Sequence, residues 1–325
     1  MHLAVSRSLQ RLGSHHGGIE HSVRAIHAAG RRGGGYTGEV TQSSTPVEHG
    51  EDGYLTLHGL RHHYLRWGDP EGDPVVLLHG LMNNARYWEH VAGRFRPEYT
   101  VYAPDLRGHG ETDHAPGGYL VWAFAMDLRG MVQELDLEAF DLVAHSIGSR
   151  IAMSYARDHG HRLKHLVLAD MGPQMADAGA RGIRKSTGEA RKAPGFPTDA
   201  EAIEHFAALY PGQPKEFLMR QLAASLVLDE ASGNLVFRFD PQINQATGRA
   251  ALVEIPYLWE SLEHITCPTL VLRAAKSKVL SAEIAQQMVE RLPNAQYVEI
   301  PDAGHQVPLH QPDAFASVIK QFLAS

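Results

Sequence analysis

Only one cysteine, Cys267, stands in 325 residues. No intrachain disulfide can form, so nothing in the cysteine pattern points to an oxidising compartment. No stretch approaches the ~18–20 consecutive apolar residues that cross a bilayer. Positive charge is not in excess: the formal net charge is −7, which gives no footing for a nucleic-acid partner. There is no internal repeat. The first fifty residues lack lysine altogether and hold three Glu, against nine Gly, six His and five Arg. Within them "GRRGGGYTGEVTQSSTP" has no apolar period. Such a segment buries too little apolar surface to offset chain entropy, so residues 1–50 are expected to form a disordered N-terminal extension. "MHLAVSRSLQRLG" carries Arg, Ser and Leu at roughly helical spacing, with no acid before Glu20, and lacks the apolar core of a secretory signal. A cytoplasmic location is expected, with an organellar one as the alternative if this start is a transit peptide.

What is present begins near Gly53. "YLTLHGLRHHYLRWGD" reads as two strands around a turn at His58-Gly59. "DPVVLLHG" is a short continuous apolar run ending in glycine, suited to a strand buried on both faces. The same plan recurs in "YTVYAPDLRGHG", "FDLVAHS", "LKHLVLADMG", "TLVLRAAK" and "AQYVEIPDAGH". Segments of helical period separate the runs, at 84–96, 119–137, 147–159, 282–292 and 312–324. Alternating strands and helices imply βαβ units and a mostly parallel sheet with helices on both faces. From about 172 to 263 the alternation breaks into a helical, polar stretch that reads as an insertion over the strand ends. "GFPTDAEAIEHFAALYP" and "QPKEFLMRQLAASLVL" are expected helices there, and "ASGNLVFRF" a turn or short strand.

Parallel sheets place chemistry at the C-terminal ends of their strands. Three such ends carry the pattern of nucleophilic catalysis. "LVAHSIGS" sets Ser146 between a strand and a helix, with Ala144 and Gly148 two residues to either side. This small-x-Ser-x-Gly turn is a nucleophile elbow, so tight that the flanking positions must be small. "LLHGL" closes a buried strand; the backbone N–H groups of Leu81 and Ile147 are the candidate donors to an oxyanion. His79 is read as bracing that loop. "IPDAGHQVPLHQP" puts His305 after the last strand, where an imidazole serves as general base. His310 is read as structural.

Together these sites resemble the α/β-hydrolase superfamily, a resemblance that runs from about Gly53 to the C-terminus and includes "APDLRGHGETD". It implies an eight-stranded, mostly parallel sheet in a single domain over 51–325, with a helical cap inserted at about 173–262. A serine at 146 sets the chain apart from members that attack with aspartate. Members most often carry the triad acid near position 278, but Lys278 stands there. An ammonium offers a donor to a donor, so Lys278 is expected to face solvent. The chain is similar to small acyl-ester esterases whose acid follows strand 6, which points to Asp170 in "LVLADMGP" as the partner of His305. Asp302 lies too close to His305 on one loop to serve.

The implied activity is cofactor-free cleavage of a carboxylic ester or thioester, on a partly apolar small molecule. Two alternatives stay open: a non-catalytic ligand-binding homologue, and an acyltransferase or perhydrolase using the same acyl enzyme. Asn83, Trp122, Tyr257 and Trp259 are expected to line the substrate pocket, with Asn84 either joining them or capping a helix. Asp105, Arg107 and His109 are expected to brace the loop after the fourth strand, and Asp127 to face outward from a helix. His159, His161 and His165 do not match a helical zinc pair, and no metal is expected. Oligomeric state is not legible.

Overall fold

His58 and Gly59 have φ of 53° and 79°, the left-handed pair that a two-residue hairpin turn requires. The turn joins β1 (Glu51–Leu57) to β2 (Leu60–Trp67). The structure, a computed structural model, describes residues 49–95, 98–182 and 195–325. The expected disordered extension therefore lies outside the described residues, apart from its last two positions.

Six further strands complete the main sheet: β3 (Asp73–Leu78), β4 (Tyr99–Pro104), β5 (Phe140–His145), β6 (Leu163–Ala169), β9 (Thr269–Ala274) and β10 (Ala295–Ile300). The order is β1-β2-β4-β3-β5-β6-β9-β10. β2 runs antiparallel to both its neighbours, β1 and β4, and the remaining pairs are parallel. Successive side chains of a strand point to opposite faces, and the core divides accordingly. Val75, Leu77, Val143 and Val167 join Tyr87, Trp88, Phe95 and Phe315 on one face. Val76, Leu78, Leu142 and Leu166 join Phe124, Phe140, Ile151 and Tyr155 on the other. Each fully buried aliphatic side chain of this kind contributes roughly 1.5–3 kcal/mol, which is why these strands read as unbroken apolar runs.

The helices on the two faces are α2 (Val121–Glu134), α3 (Ile147–His159), α7 (Ala282–Arg291), α8 (Val307–His310) and α9 (Pro312–Leu323). The stretch expected to be helical from 84 is instead a 3-10 turn, Ala85–Trp88, followed by a four-residue α1 (Glu89–Ala92). The Asn84 side chain caps the turn by accepting from Arg86 N–H, and Asp105 accepts from Ala85 N–H at 2.6 Å. Both bonds fix the first residues in place beside the loop after β4.

β6 and β9 pair directly, so the chain between them leaves the sheet and returns. It forms α4 (Asp199–Leu209), α5 (Lys215–Ser225), the hairpin β7 (Leu226–Leu228) with β8 (Leu235–Phe237), and α6 (Ile243–Leu262). Three of its polar contacts go to loops at the C-terminal ends of the strands. Asn84 Nδ2 donates to Ser225 Oγ at 2.9 Å, Asp240 N–H to Gly108 O at 2.9 Å and Gln213 Nε2 to Leu309 O at 3.1 Å. Among the described residues, no helix is long and apolar enough to cross a membrane.

Candidate active site

Ser146 sits between β5 and α3 with φ 57° and ψ −127°, a backbone conformation that a residue with a Cβ adopts only under strain. Close crossing of strand and helix enforces it. A Cβ on Gly148 would lie 2.7 Å from the Leu78 carbonyl oxygen, and one on Gly80 would lie 3.0 Å from the Ser146 Cβ. Both positions must stay bare for the Ser146 turn and the loop after β3 to approach each other. The backbone N–H groups of Leu81 and Ile147 flank this approach, and among the described residues neither has an acceptor. Ile147 is the first residue of α3, where an amide has no partner within its own helix.

The loop after β3 is fixed by histidines and a carboxylate. His79 donates from Nδ1 to Gly80 O at 2.8 Å and accepts Leu106 N–H at Nε2. Asp105 accepts from Ala85 N–H, from Glu111 N–H and from His63 Nδ1. Asp52 takes the other nitrogen of His63 at 3.0 Å. Burial pushes His63 down, but its bonds to Asp105 and Asp52 outweigh that and hold it at about 9. The bracing roles expected for His79 and Asp105 are what these contacts display.

His305 follows β10, and its ring lies between two groups. Nε2 is 2.9 Å from Ser146 Oγ, and Nδ1 is 2.8 Å from Asp170 Oδ2. Asp170 is fully buried, follows β6 and has φ 55°. Its second oxygen accepts Ala274 N–H at 3.0 Å. The three residues form a continuous hydrogen-bonded line across the ends of β5 and β6. Lys278 is exposed. Its loop is covered by a neighbouring segment: Ala176 N–H donates to Val279 O, and a Cβ on Gly179 would meet Lys278 O at 2.4 Å. Asp302 is exposed and paired with Lys276 at 2.8 Å, turned away from His305.

A family model for the alpha/beta hydrolase fold matches residues 73–310. The chain belongs to this family. Among curated relatives, the 3-hydroxybutyrate-oligomer hydrolase of Cupriavidus necator is 29% identical over 258 residues, covering 77% of this chain and 87% of that protein. The N-formylmaleamate deformylase of Pseudomonas putida is 26% identical over 275 residues, covering 83% and 96%. Among solved structures, an alpha/beta hydrolase from Novosphingobium aromaticivorans superposes with a TM-score of 0.70 at 28% identity, covering 85% of this chain and 98% of that one. These two curated relatives are named as a hydrolase and a deformylase, and this chain is an alpha/beta hydrolase.

Within the hydrolase, the residues expected in the pocket separate. Asn83 is buried in the loop after β3, its Oδ1 accepting from the Tyr210 hydroxyl at 2.8 Å. Trp122 is 56% exposed on α2, which corrects the expectation of a buried pocket position. Tyr257 and Trp259 are likewise committed to packing α6. The Tyr257 hydroxyl is 3.1 Å from Ser154 Oγ, with Arg157 over its ring. Ser154 lies eight residues along α3 from Ser146, about 12 Å down the helix axis. Trp259 Nε1 donates to Gln174 and its ring lies under Arg291. Asp127 is a second correction: it is buried, and both its oxygens accept from Arg107, at 2.5 and 2.6 Å. An arginine twenty residues away has no periodic signature that would reveal this partner. Tyr87, Gln306 and Tyr210, which surround the site, were also not legible, because their partners lie 219 and 127 residues away.

Proposed function

We propose that this hydrolase cleaves a carboxylic ester or thioester by nucleophilic catalysis at Ser146. The observation that carries the reading is the line Ser146–His305–Asp170, with bonds of 2.9 and 2.8 Å. Asp170 accepts the Nδ1–H of His305, which leaves Nε2 free to accept the Ser146 proton. Oγ then attacks the substrate carbonyl carbon as its proton passes to Nε2. The oxyanion is received by the N–H groups of Leu81 and Ile147, donors already in place before charge develops. Collapse breaks the bond to the alkoxide or thiolate, which leaves with the proton from His305. Water attacks the acyl enzyme by the same path, releasing a carboxylic acid and restoring Ser146.

The substrate class draws support from two sides. The relative from Cupriavidus necator is named for 3-hydroxybutyrate oligomers. The inserted segment brings Tyr210 against Asn83 beside the oxyanion loop, and its interior holds Phe196, Phe206 and Phe217. It acts as a cap over a site for a partly apolar acyl or alcohol group, with Asn83 offering polar contact. The test is labelling with a fluorophosphonate probe, followed by a chain-length panel of nitrophenyl esters beside thioesters and amides. Rapid labelling of the parent, none of Ser146→Ala, and ester turnover above amide turnover are expected. A parent that neither labels nor turns over any ester refutes the reading and favours a non-catalytic homologue.

A further inference from the structure

His305 reaches Ser146 from far away in the sheet. Its loop follows β10, and the strands lie in the order β5-β6-β9-β10. Adjacent strands are spaced by about 4.8 Å, so the loop spans about 14 Å to bring the ring to the end of β5. A loop of that reach holds no sub-ångström geometry by itself. It is pinned once at each strand end it crosses. Past β9, Lys276 N–H donates to Ala303 O at 2.8 Å. Past β6, Asp170 takes the His305 Nδ1–H. At the end of β5, His145 Nε2 lies 2.7 Å from the main-chain oxygen of His305.

This last bond has a fixed polarity. A carbonyl oxygen only accepts, so Nε2 of His145 carries the proton. Its Nδ1 is buried and has no partner in the described structure, which is the state of a neutral ring with its one hydrogen on Nε2. Burial, and next the charge His305 takes on, hold His145 well below the ordinary histidine range, so the donor persists. The ring is laid flat on Tyr87, with centroids 5.5 Å apart and planes 17° apart. The Tyr87 hydroxyl in turn donates to Gln306 Oε1 at 2.8 Å. Two consecutive loop residues are therefore gripped by two stacked rings, one of which belongs to the residue preceding the nucleophile.

We infer that His145 is a positioning residue: its Nε2–H holds the main-chain carbonyl of His305 and so sets the reach of the His305 ring to Ser146 Oγ, with Tyr87 as its backing and second grip. The inference rests on the triad reading above. The His145 ring also packs against the His305 ring, with centroids 4.9 Å apart, and in this role it acts through His305. Because the bond adjoins the nucleophile in sequence, a shift of either residue moves the other.

The test compares His145→Met with His145→Gln, two side chains of nearly the same shape. Only Gln places an N–H donor near the Nε2 position. On 4-nitrophenyl butyrate, the Met variant is expected to lose about 10- to 100-fold in kcat, the scale of a misplacement near 1 Å. Its KM is expected to stay within about threefold, and its fluorophosphonate labelling rate to fall with kcat. The Gln variant is expected to recover to within about fivefold of the parent. Equal loss in Met and Gln, or a Met variant with the parent's kcat, overturns the inference. Ser146→Ala runs beside them: if it retains the parent rate, the triad reading itself falls and takes this inference with it. If it is inactive while the Met variant keeps full kcat, only the inference falls. Should the Met variant not fold, Tyr87→Phe carries the test, since it removes only the hydroxyl on Gln306. A several-fold lower kcat at unchanged KM is expected there, and an unchanged kcat overturns the inference.

Discussion

Replacing Asp170 by asparagine keeps shape and volume at a fully buried position and removes one charge. The two oxygens of the carboxylate have different work: one accepts from Ala274 N–H, the other from His305 Nδ1–H. An amide satisfies only one of these. If its oxygen stays with Ala274, its NH2 faces Nδ1, and the imidazole must move its hydrogen to Nε2. A donor then faces Ser146, and no base is available. If the amide flips, the His305 tautomer survives but two N–H groups oppose each other at Ala274, at a cost of about 1–3 kcal/mol. In either case the imidazolium formed during attack loses its counter-charge. With charge centres ~4 Å apart and an effective dielectric near 20, that attraction is about 4 kcal/mol, or about 10³ in rate. Adding the penalty of about 1–3 kcal/mol gives an expected loss of about 10⁴–10⁵ in kcat, with KM nearly unchanged, the same order as the roughly 10⁴ lost by this substitution in a serine-protease triad. Steady-state hydrolysis of a nitrophenyl ester measures it, with a urea melt to show that the fold persists. A kcat within tenfold of the parent would refute the assignment. In that event Asp302, the other carboxylate near His305 in sequence, becomes the residue to substitute, although it now pairs with Lys276.

Lys278→Ala is expected to leave kcat and KM within severalfold, because the side chain is exposed; a hundredfold loss would place the lysine in the site. His63 makes stability depend on alkaline pH. Its folded pKa, about 9 against an ordinary 6.5, is worth about 3 kcal/mol of folding. That contribution is complete below pH 6.5 and is lost as pH rises through 9. Urea melts at pH 6 and pH 10 should therefore show a fall that is smaller by about 3 kcal/mol in His63→Gln than in the parent; equal falls would sink the argument. Asp127→Ala strands the buried Arg107 guanidinium and is expected to cost about 3–5 kcal/mol by urea melting. A cost under 1 kcal/mol would mean that water reaches Arg107.

The sheet was legible because its evidence is local. A continuous apolar run ending in glycine marks a strand buried on both faces, and the hairpin turn at His58-Gly59 and the helix over 147–159 stand where the pattern puts them. The serine turn is equally local: strand, tight turn, helix and small flanking residues lie within one short stretch. Lys278 narrowed the choice of acid by ruling out its own position. The segment from 84 read as one helix became a 3-10 turn, because Asp105, twenty-one residues after Asn84, takes the Ala85 amide. That contact has no periodic trace.

What the sequence by itself determined is which strand ends carry a serine, a carboxylate and a histidine, since each sits in a motif a few residues long. Only the tertiary structure decided how they meet. The order of strands in a sheet is set by crossovers, not by neighbours in the chain, so His305 comes to Ser146 from three strands away. The same holds for the side chains that aim it. His145 stood in plain sight beside the serine, yet its hydrogen bond is to a residue 160 positions away. Tyr257 and Trp259 had the composition of a pocket and were spent on packing α6, because burial of an aromatic ring is equally favourable against a helix flank. Hydrophobic period reports that a side chain is buried; which group it is buried against is a property of the folded chain alone.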